Sequence, residues 1–386
     1  MSAKKRILVF IDWYLPGYKA GGPIQSCANL VAHLSSQFDF LVVTRNTDYC
    51  ETQAYSGIES DAWNKLEDGT QVYYFSEAKL SYAAIKKICT ETDFDIAYIN
   101  GVYSFYFSIL PLYFLKGKAN KKIIVAARGM LAQSAIQVKK FKKSSFLFLS
   151  KALGLFNKVT FQASTSAEVV DIQKAIGKNS TIVQAGNLPR KISTNTNTQR
   201  KKVEGKLKLI NVARIAPEKN LRFALEILVH VQSEIEFDFY GPVYNHTYFD
   251  ECMQLVQKMP PNIKVNYKNS LNSELVAPTL TNYHALFMPT LGENFGHIIM
   301  ESFVCGCPVI ISNQTPWNKL ESKKIGFDIS LSNPAKFIES IEFLANLNQK
   351  DYDVWSNLAF EFGQLYLNSP EILKQNLTLF SNPTHE

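Results

Sequence analysis

Short apolar runs alternate with amphipathic stretches along most of the chain. The first run, RILVFID at 6–12, is almost continuously apolar, which is typical of a strand buried on both faces of a parallel sheet. Helical periodicity follows at 24–36 and in several later intervals. Strands are predicted at 6–12, 38–44, 70–76, 94–100, 122–128, 206–213, 236–242, 263–269, 285–290 and 308–312. This alternation predicts an α/β class with doubly wound, Rossmann-like domains.

One polar segment divides the strands into two series. NLPRKISTNTNTQRKKVEGK (187–206) is rich in Thr, Asn and Lys and has no periodicity, so it is interpreted as an interdomain linker. The chain has 386 residues, enough for two domains. We expect domains at 1–186 and 207–365, facing a central cleft in which ligands bind. The tail, 366–386, is expected to pack back on the first domain.

The composition indicates a globular chain, with 46% hydrophobic and 19% charged residues. The apolar run near the N-terminus contains Asp12 and lacks a cleavage site, so no signal peptide is predicted. VYSFYFSILPLYFL (102–115) is too short to span a bilayer and contains Pro111. Six scattered cysteines and six dispersed histidines predict free thiols in a reducing cytoplasm and no metal site.

Charge is unevenly distributed along the chain. Residues 96–167 contain no acidic residue but eleven Lys and Arg. This interval is either a solvated basic face or a surface for anionic partners, such as phosphates or the inner leaflet of a membrane. Within it, VKKFKKSSFLFLSKALGLFNK (138–158) interleaves lysines with Phe and Leu, which suits an amphipathic helix in peripheral contact with a membrane. No nucleic-acid recognition motif accompanies the charge, so nucleic acid is not expected as a partner.

Two loops that follow predicted strands carry residues suited to phosphate. Gly21 and Gly22 precede the first helix, where glycines allow close approach of backbone to a phosphate, although a plain turn would use the same residues. VARIAPEKN (212–220) contains Arg214 and Lys219, a guanidinium and an ammonium that together suit a diphosphate. Two solvated surface cations remain the alternative.

The third loop, in PTLGENFGHIIMES (289–302), carries two glutamates. Glu293 falls in the loop, and Glu301 falls about a turn and a half into a helix that begins near Gly296 or His297. The first-turn amides of that helix suit a phosphate or sugar hydroxyls. An ionised carboxylate only accepts hydrogen bonds, so Glu301 fits a ribose diol better than a role in proton transfer.

Several motifs in order resemble the retaining glycosyltransferases of family 4, over about residues 6–360. GENFGHIIMES with CGCPVIIS and QTPW resembles the E-x7-E region of that family, and VARIAPEKNL resembles its second donor-binding loop. AGGP and ARGMLAQSAIQVKKFKK also resemble family members. The resemblance implies a GT-B fold, with an acceptor-side N-terminal domain and a C-terminal domain that binds a nucleotide-diphospho-sugar.

The resemblance also implies roles for individual residues. Arg214 and Lys219 hold the departing diphosphate, and Glu293 and Glu301 bind the donor sugar and the ribose, respectively. Further donor contacts come from Gly21 and Gly22 and from the backbone around Asn294, Phe295 and Gly296. Some members present a histidine where this chain has Arg128, so Arg128 is expected to contact donor or acceptor.

No metal and no other cofactor is expected, because cationic side chains and helix dipoles stand in for a metal in such enzymes. The DFD at 93–95 precedes a buried strand and is not interpreted as a metal-binding DxD. The resemblance implies retention of configuration by front-face attack, with the leaving phosphate as base.

The predicted function is therefore transfer of a sugar to a glycan or a lipid-linked acceptor in bacterial cell-surface polysaccharide biosynthesis, by a cytoplasmic and membrane-associated enzyme. A non-catalytic nucleotide-sugar-binding protein is the first alternative. A nicotinamide-dependent oxidoreductase is less favoured, because the chain lacks GxGxxG and an acidic residue at the matching offset.

Overall fold

The computed structural model describes residues 4–118, 121–137, 140–191 and 200–381. The strands are β1 Lys5–Phe10, β2 Phe38–Arg45, β3 Trp63–Lys65, β4 Gln71–Phe75, β5 Ile96–Asn100, β6 Lys122–Ala126, β7 Val159–Ala163, β8 Thr181–Gln184, β9 Lys206–Val212, β10 Glu234–Tyr240, β11 Ile263–Tyr267, β12 Ala285–Met288, β13 Val309–Ser312 and β14 Gly326–Ile329. The α-helices are α1 Gly22–Leu34, α2 Tyr82–Glu91, α3 Leu110–Leu115, α4 Gln133–Gln137, α5 Lys140–Ala152, α6 Ser166–Ala175, α7 Leu221–Leu228, α8 His246–Val256, α9 Ser273–Leu280, α10 His297–Val304, α11 Pro334–Ala345, α12 Gln349–Leu367 and α13 Pro370–Phe380.

The chain forms two compact units, each built around its own sheet. Unit 1 comprises 1–188 and 370–386, and unit 2 comprises 189–369. The sheet of unit 1 has the order β3-β4-β2-β1-β5-β6-β7-β8, and that of unit 2 has the order β11-β10-β9-β12-β13-β14. All neighbouring strands are parallel except β3 and β4, which are antiparallel. All ten predicted strands are present, within a few residues of their predicted bounds.

Both sheets are covered on both faces, as continuous apolar strands require. In β1, Leu8 and Phe10 belong to one buried cluster, whereas Ile7 and Val9 belong to another. In unit 2, Leu207 and Leu209 contribute to one cluster and Ile210 to a second. Successive side chains of a strand point to opposite faces, so one apolar run supplies two cores.

Four strands were not predicted, namely β3, β7, β8 and β14. The side chains of β3 are half-buried or exposed, and β8 is only partly buried, so neither presents the apolar run on which the prediction relied. Strand β7 directly follows the lysine-rich segment that was interpreted as an amphipathic helix. These strands form because a neighbouring strand offers unpaired backbone groups, which is a tertiary effect.

The predicted linker, 187–206, is structured at both of its described ends. Arg200 is buried, and its guanidinium donates to the carbonyl oxygens of Cys305, Gly306 and Leu280. Lys202 is also buried, and its ammonium donates to the Ala345 carbonyl oxygen at 2.6 Å. The boundary between the two units lies within the predicted linker, at 188/189, and residues 200–206 are packed into unit 2. Residues 192–199 lie outside the described part of the chain.

The last helix, α13, belongs to unit 1. Leu379 and Phe380 are fully buried in the same cluster as Ile7 and Val9. The ring of Phe380 lies 5.5 Å from that of Phe38 and 5.6 Å from that of Tyr98. The C-terminal helix thus completes a core that the first 188 residues begin.

None of the helices in the described ranges is long and apolar enough to cross a membrane. All six cysteines are free, and only Cys50 is exposed.

We expect Phe380→Ala to lower the free energy of unfolding of unit 1 by about 3–5 kcal/mol, because the change leaves a cavity among buried aromatic rings. Denaturant titration followed by tryptophan fluorescence measures the effect. Phe141→Ala is the matched control, since Phe141 is exposed and its removal should change stability by less than about 0.5 kcal/mol. Equal effects of the two substitutions would contradict the assignment of α13 to this core.

Candidate functional site

The predicted donor residues of unit 2 lie on two loops that are neighbours at one edge of the sheet. Strands β9 and β12 are parallel and adjacent, with Leu286 opposite Ile210, so both loops leave from the carboxyl ends of paired strands. Asn220 Nδ2 donates to the Pro289 carbonyl oxygen at 2.9 Å, and Leu291 N donates to the Glu218 carbonyl oxygen at 3.0 Å. Ligands of open α/β sheets bind at this edge.

Lys219 and Glu293, which are predicted separately as phosphate and sugar ligands, are hydrogen-bonded to each other. Lys219 Nζ donates to Glu293 Oε1, and the two side chains are only 18% and 15% exposed. A largely buried ammonium requires a counter-charge, and Glu293 provides it. The pair holds both groups in place and presents one positive and one negative group to a ligand.

Arg214 is less constrained than Lys219. Its Nη2 lies 3.2 Å from Glu218 Oε1, in a pair whose side chains are 33% and 53% exposed. Exposed ion pairs of this kind contribute at most about 1 kcal/mol. An incoming dianion can therefore redirect the Arg214 guanidinium at little cost.

The N-terminus of α10 is shaped by Gly296. This residue has φ +76°, and a Cβ at its position would lie 2.7 Å from Ile299 Cδ1, so only glycine fits without strain. Within the described residues, the amide nitrogens of Phe295 and Gly296 donate to no hydrogen bond. They remain available to oxygen atoms of a ligand, at the positive end of the helix dipole.

Phe295 and its surroundings hold this turn in place. Its side chain is buried, and its ring lies 5.2 Å from that of Trp317 and 5.9 Å from that of Tyr366. Trp317 Nε1 donates to the Phe295 carbonyl oxygen. The Phe295 side chain therefore fixes the backbone, and only its main-chain atoms are placed to meet a ligand.

Glu301 lies on α10 in a buried environment. The residue is only 8% exposed. Burial raises the pKa of Glu301 to about 7, and the Arg190 guanidinium opposes this increase. The expected role of Glu301 as a hydrogen-bond acceptor for a ribose diol stays a prediction. Hydroxyl donors of a ligand would favour the ionised form.

The predicted residues of unit 1 occupy the carboxyl edge of its own sheet. Gly21 precedes α1 with φ +75° and ψ −132°, a conformation that favours glycine, and a Cβ there would meet no atom within 4 Å. The loop is held by Asp48, which accepts from the Tyr18 and Lys19 amides. Gly22 is the first residue of the helix.

Arg128 takes part in a polar network inside unit 1. Its Nε donates to Asn100 Oδ1 at 2.7 Å, Nη1 donates to Asn187 Oδ1 at 2.5 Å, and Nη2 donates to the Tyr98 hydroxyl at 2.6 Å. The network connects the ends of β5 and β6 with the segment after β8, a positioning role that the sequence did not reveal. Contact of Arg128 with donor or acceptor stays a prediction.

Sequence reasoning missed a group around Asp12. Ser104 Oγ donates to Asp12 Oδ1 at 2.8 Å, Arg45 Nη2 lies 3.6 Å from the same oxygen, and burial raises the pKa of Asp12. Asp12 and Ser104 follow β1 and β5, and Arg45 is the last residue of β2, so all three lie where the strand order reverses direction. Such a switch point is a preferred binding position in α/β sheets. The sequence contained a sign of this group, because Asp12 is the one charged residue at the end of the first apolar run.

The aspartates of the DFD segment lie at the amino end of β5, opposite the carboxyl edge. Asp93 pairs with the Arg6 guanidinium at 3.0 Å, and Asp95 accepts from the Arg6 amide at 2.8 Å. Among the residues that the structure describes, no group of three or more His, Cys, Asp or Glu side chains could hold a metal ion.

The region 193–361, which is under half of the chain, matches the family model described as glycosyl transferases group 1. No curated protein sequence matches the chain.

Solved structures are similar over nearly the full length. Sucrose-phosphate synthase from Thermosynechococcus elongatus gives a TM-score of 0.70 at 14% identity, covering 98% of each chain. Anabaena HepE in complex with UDP and glucose gives 0.69 at 13% identity, covering 97% of this chain and 98% of that one. A TarM variant from S. aureus in complex with fondaparinux, α-GlcNAc-glycerol and UDP gives 0.69 at 13% identity, covering 98% and 100%. These likenesses establish the fold, and the predicted pair of Rossmann-like domains of the GT-B type is confirmed.

The raised pKa of Glu301 predicts a pH-dependent stability difference between wild type and Glu301→Gln. The folded-state pKa of about 7 exceeds the unfolded value of about 4.5, so the native state holds an extra proton between these values. Wild-type stability should therefore fall relative to the variant as pH rises through this window, by about 3 kcal/mol in total, and then level off.

Denaturant unfolding of the unliganded proteins at about pH 5 and about pH 8 measures this difference. Glu361→Gln, at an exposed position on α12, is the control and should show no such divergence. Parallel pH profiles for wild type and Glu301→Gln would contradict the raised pKa of Glu301.

Proposed function

We propose that the chain is a glycosyltransferase of the family 4 type, which transfers a sugar from a nucleotide-diphospho-sugar to an acceptor hydroxyl with retention of configuration. The observation that carries the proposal is the arrangement on unit 2. Lys219 lies on the loop after β9, Glu293 and the Gly296 turn lie on the loop after the neighbouring strand β12, and Glu301 lies on α10, the helix that follows. All of them fall inside the region that matches the glycosyl transferase model.

Each group has a proposed part in donor binding. Lys219 and Arg214 hold the diphosphate and stabilise the charge that develops as it leaves. The amides of Phe295 and Gly296 bind phosphate or sugar oxygens, together with the backbone around Asn294. Glu301 binds the ribose diol, and Glu293 turns from Lys219 towards the sugar hydroxyls. We propose that Gly21 and Gly22 bind the diphosphate from unit 1.

The proposed reaction breaks the bond between the anomeric carbon and the diphosphate oxygen, which keeps the electron pair. The acceptor oxygen bonds to the anomeric carbon on the same face, and its proton passes to the departing phosphate. This route needs no side chain as nucleophile, which suits a site where Glu293 is occupied by Lys219. We propose that no metal is required, because Arg214, Lys219 and the α10 dipole supply the positive charge.

The proposed acceptor is a glycan or a polyprenyl-linked glycan of cell-surface polysaccharide biosynthesis, bound at the carboxyl edge of unit 1 in the cytoplasm. Asp12 is proposed to accept a hydrogen bond from an acceptor hydroxyl there, oriented by Ser104 and Arg45. Two of the similar structures, HepE and TarM, were solved with UDP, so UDP-sugars are the first donors to test.

We expect Lys219→Ala to reduce donor hydrolysis and sugar transfer by at least about a hundredfold, because an uncompensated diphosphate charge remains in the transition state. A panel of UDP-, GDP- and dTDP-sugars, with and without a chelator, identifies the donor and tests for a metal. Lys206→Ala is the matched control, since Lys206 also pairs with a glutamate, Glu234, but at the amino end of β9.

Equal activity of both variants would refute the donor site, and donor binding without turnover would favour the non-catalytic alternative. Inversion at the anomeric carbon in the product, read by NMR, would refute retention.

We expect Asp12→Asn to lower transfer to acceptor at least about tenfold while donor hydrolysis and donor binding stay near wild type, because Asp12 lies on unit 1 and its proposed partner is the acceptor. Donor hydrolysis without acceptor is the internal control for folding. A parallel loss of hydrolysis and transfer would contradict the acceptor assignment.

A further inference from the structure

Helix α5 exposes large apolar side chains on its outer face. Phe141, Phe148, Leu149 and Leu153, which follows the helix, are 86%, 73%, 56% and 70% exposed. Positions 141, 148 and 149 are separated by seven and eight residues, so they lie on one side of the helix. Concentrated exposure of this kind marks an interaction surface more often than it marks a bare surface.

The inner face of α5 is already packed against unit 1. Leu147 is buried, and the Phe146 ring lies 5.4 Å from that of Tyr103 and 6.5 Å from that of Phe156. The helix thus has one apolar face in the core and a second apolar face that the described residues of unit 1 leave exposed. The outer residues are not needed to hold the helix in place.

Cations surround the outer apolar side chains. Lys140, Lys142 and Lys151 are exposed on α5 itself, and Lys116 of α3 donates to the Leu153 carbonyl oxygen. No acidic residue occurs at 96–167 to offset them. Lys143 does not belong to this set, because its ammonium donates to the Ala135 carbonyl oxygen at 2.7 Å and lies over the Tyr103 ring. Lys139 lies outside the described residues.

We propose that this outer face, formed by Phe141, Phe148, Leu149, Leu153 and the exposed lysines of α5, binds the surface of an anionic lipid bilayer. The rings and leucines enter the interface between headgroups and acyl chains, while the lysines extend their ammonium groups to lipid phosphates. The proposal does not depend on the glycosyltransferase assignment, since it concerns binding alone.

The positive charge of the outer face favours an anionic bilayer over a second copy of the chain as its binding partner. A second copy of this chain would place lysines against lysines across a two-fold interface, which is unfavourable. An anionic bilayer supplies both hydrocarbon for the apolar side chains and negative charge for the cations around them. Each basic residue near such a surface adds to the attraction, and added salt weakens it.

The test is co-sedimentation of the full chain with vesicles of phosphatidylcholine that contain about one third phosphatidylglycerol, compared with pure phosphatidylcholine. We expect binding to the anionic vesicles only. The double variant Phe148→Ser and Leu149→Ser should bind about tenfold more weakly or worse, because it removes two side chains that enter the interface. The matched control is Val354→Ser with Leu365→Ser, at two exposed positions of α12.

A second pair of variants tests the charge. Substitution of Lys140, Lys142 and Lys151 by Gln should abolish the preference for anionic vesicles. The control makes the same change at three exposed lysines of unit 2, Lys258, Lys264 and Lys350, and should keep most of this preference. Failure of the wild type to bind anionic vesicles would overturn the proposal. Equal binding by the Phe148→Ser, Leu149→Ser variant and its control would also overturn it. A dimer of the wild type that this variant abolishes would do the same, because it would assign the outer face to a second copy of the chain.

Discussion

The parallel pairing of β9 with β12 is the constraint on which the candidate donor site depends. Because the two strands are adjacent and run in the same direction, the loop with Arg214 and Lys219 and the loop with Glu293 leave the sheet at the same edge. Hydrogen bonds from Asn220 and Leu291 then fix one loop against the other. Residues about 74 positions apart in sequence meet as an ion pair for this reason alone.

Two electrostatic features distinguish this site. Lys219 and Glu293 form an ion pair, and burial raises the pKa of Glu301. A ligand with hydroxyl donors would relieve Glu301, and a ligand with phosphates would compete for Lys219. Both features favour a ligand that carries hydroxyl groups and phosphates.

The sequence predicted those elements of the fold that are specified by the hydrophobic pattern of a single short segment. Apolar runs located ten of the strands, and the glycines and charged residues after them located the candidate loops. The Lys219–Glu293 pair was not predictable in the same way, because it depends on which strands are neighbours. The environment of Glu301 depends on the packing of α10 against elements distant in sequence. The end of the predicted linker looked solvated because it is polar, yet Arg200 and Lys202 are buried through hydrogen bonds to carbonyl oxygens. Strands β3 and β8 are too exposed to give an apolar signal.

The place of α13 in unit 1 has a consequence for synthesis on the ribosome. The core that contains Ile7 and Val9 also needs Leu379 and Phe380, which are translated about 370 residues later. Unit 2 is continuous from 189 to 369 and is fully synthesised before α13 emerges. Although the synthesis of unit 1 begins first, unit 1 is therefore the last to complete its core. Until α13 is made, the apolar surface that Phe380 later covers stays exposed.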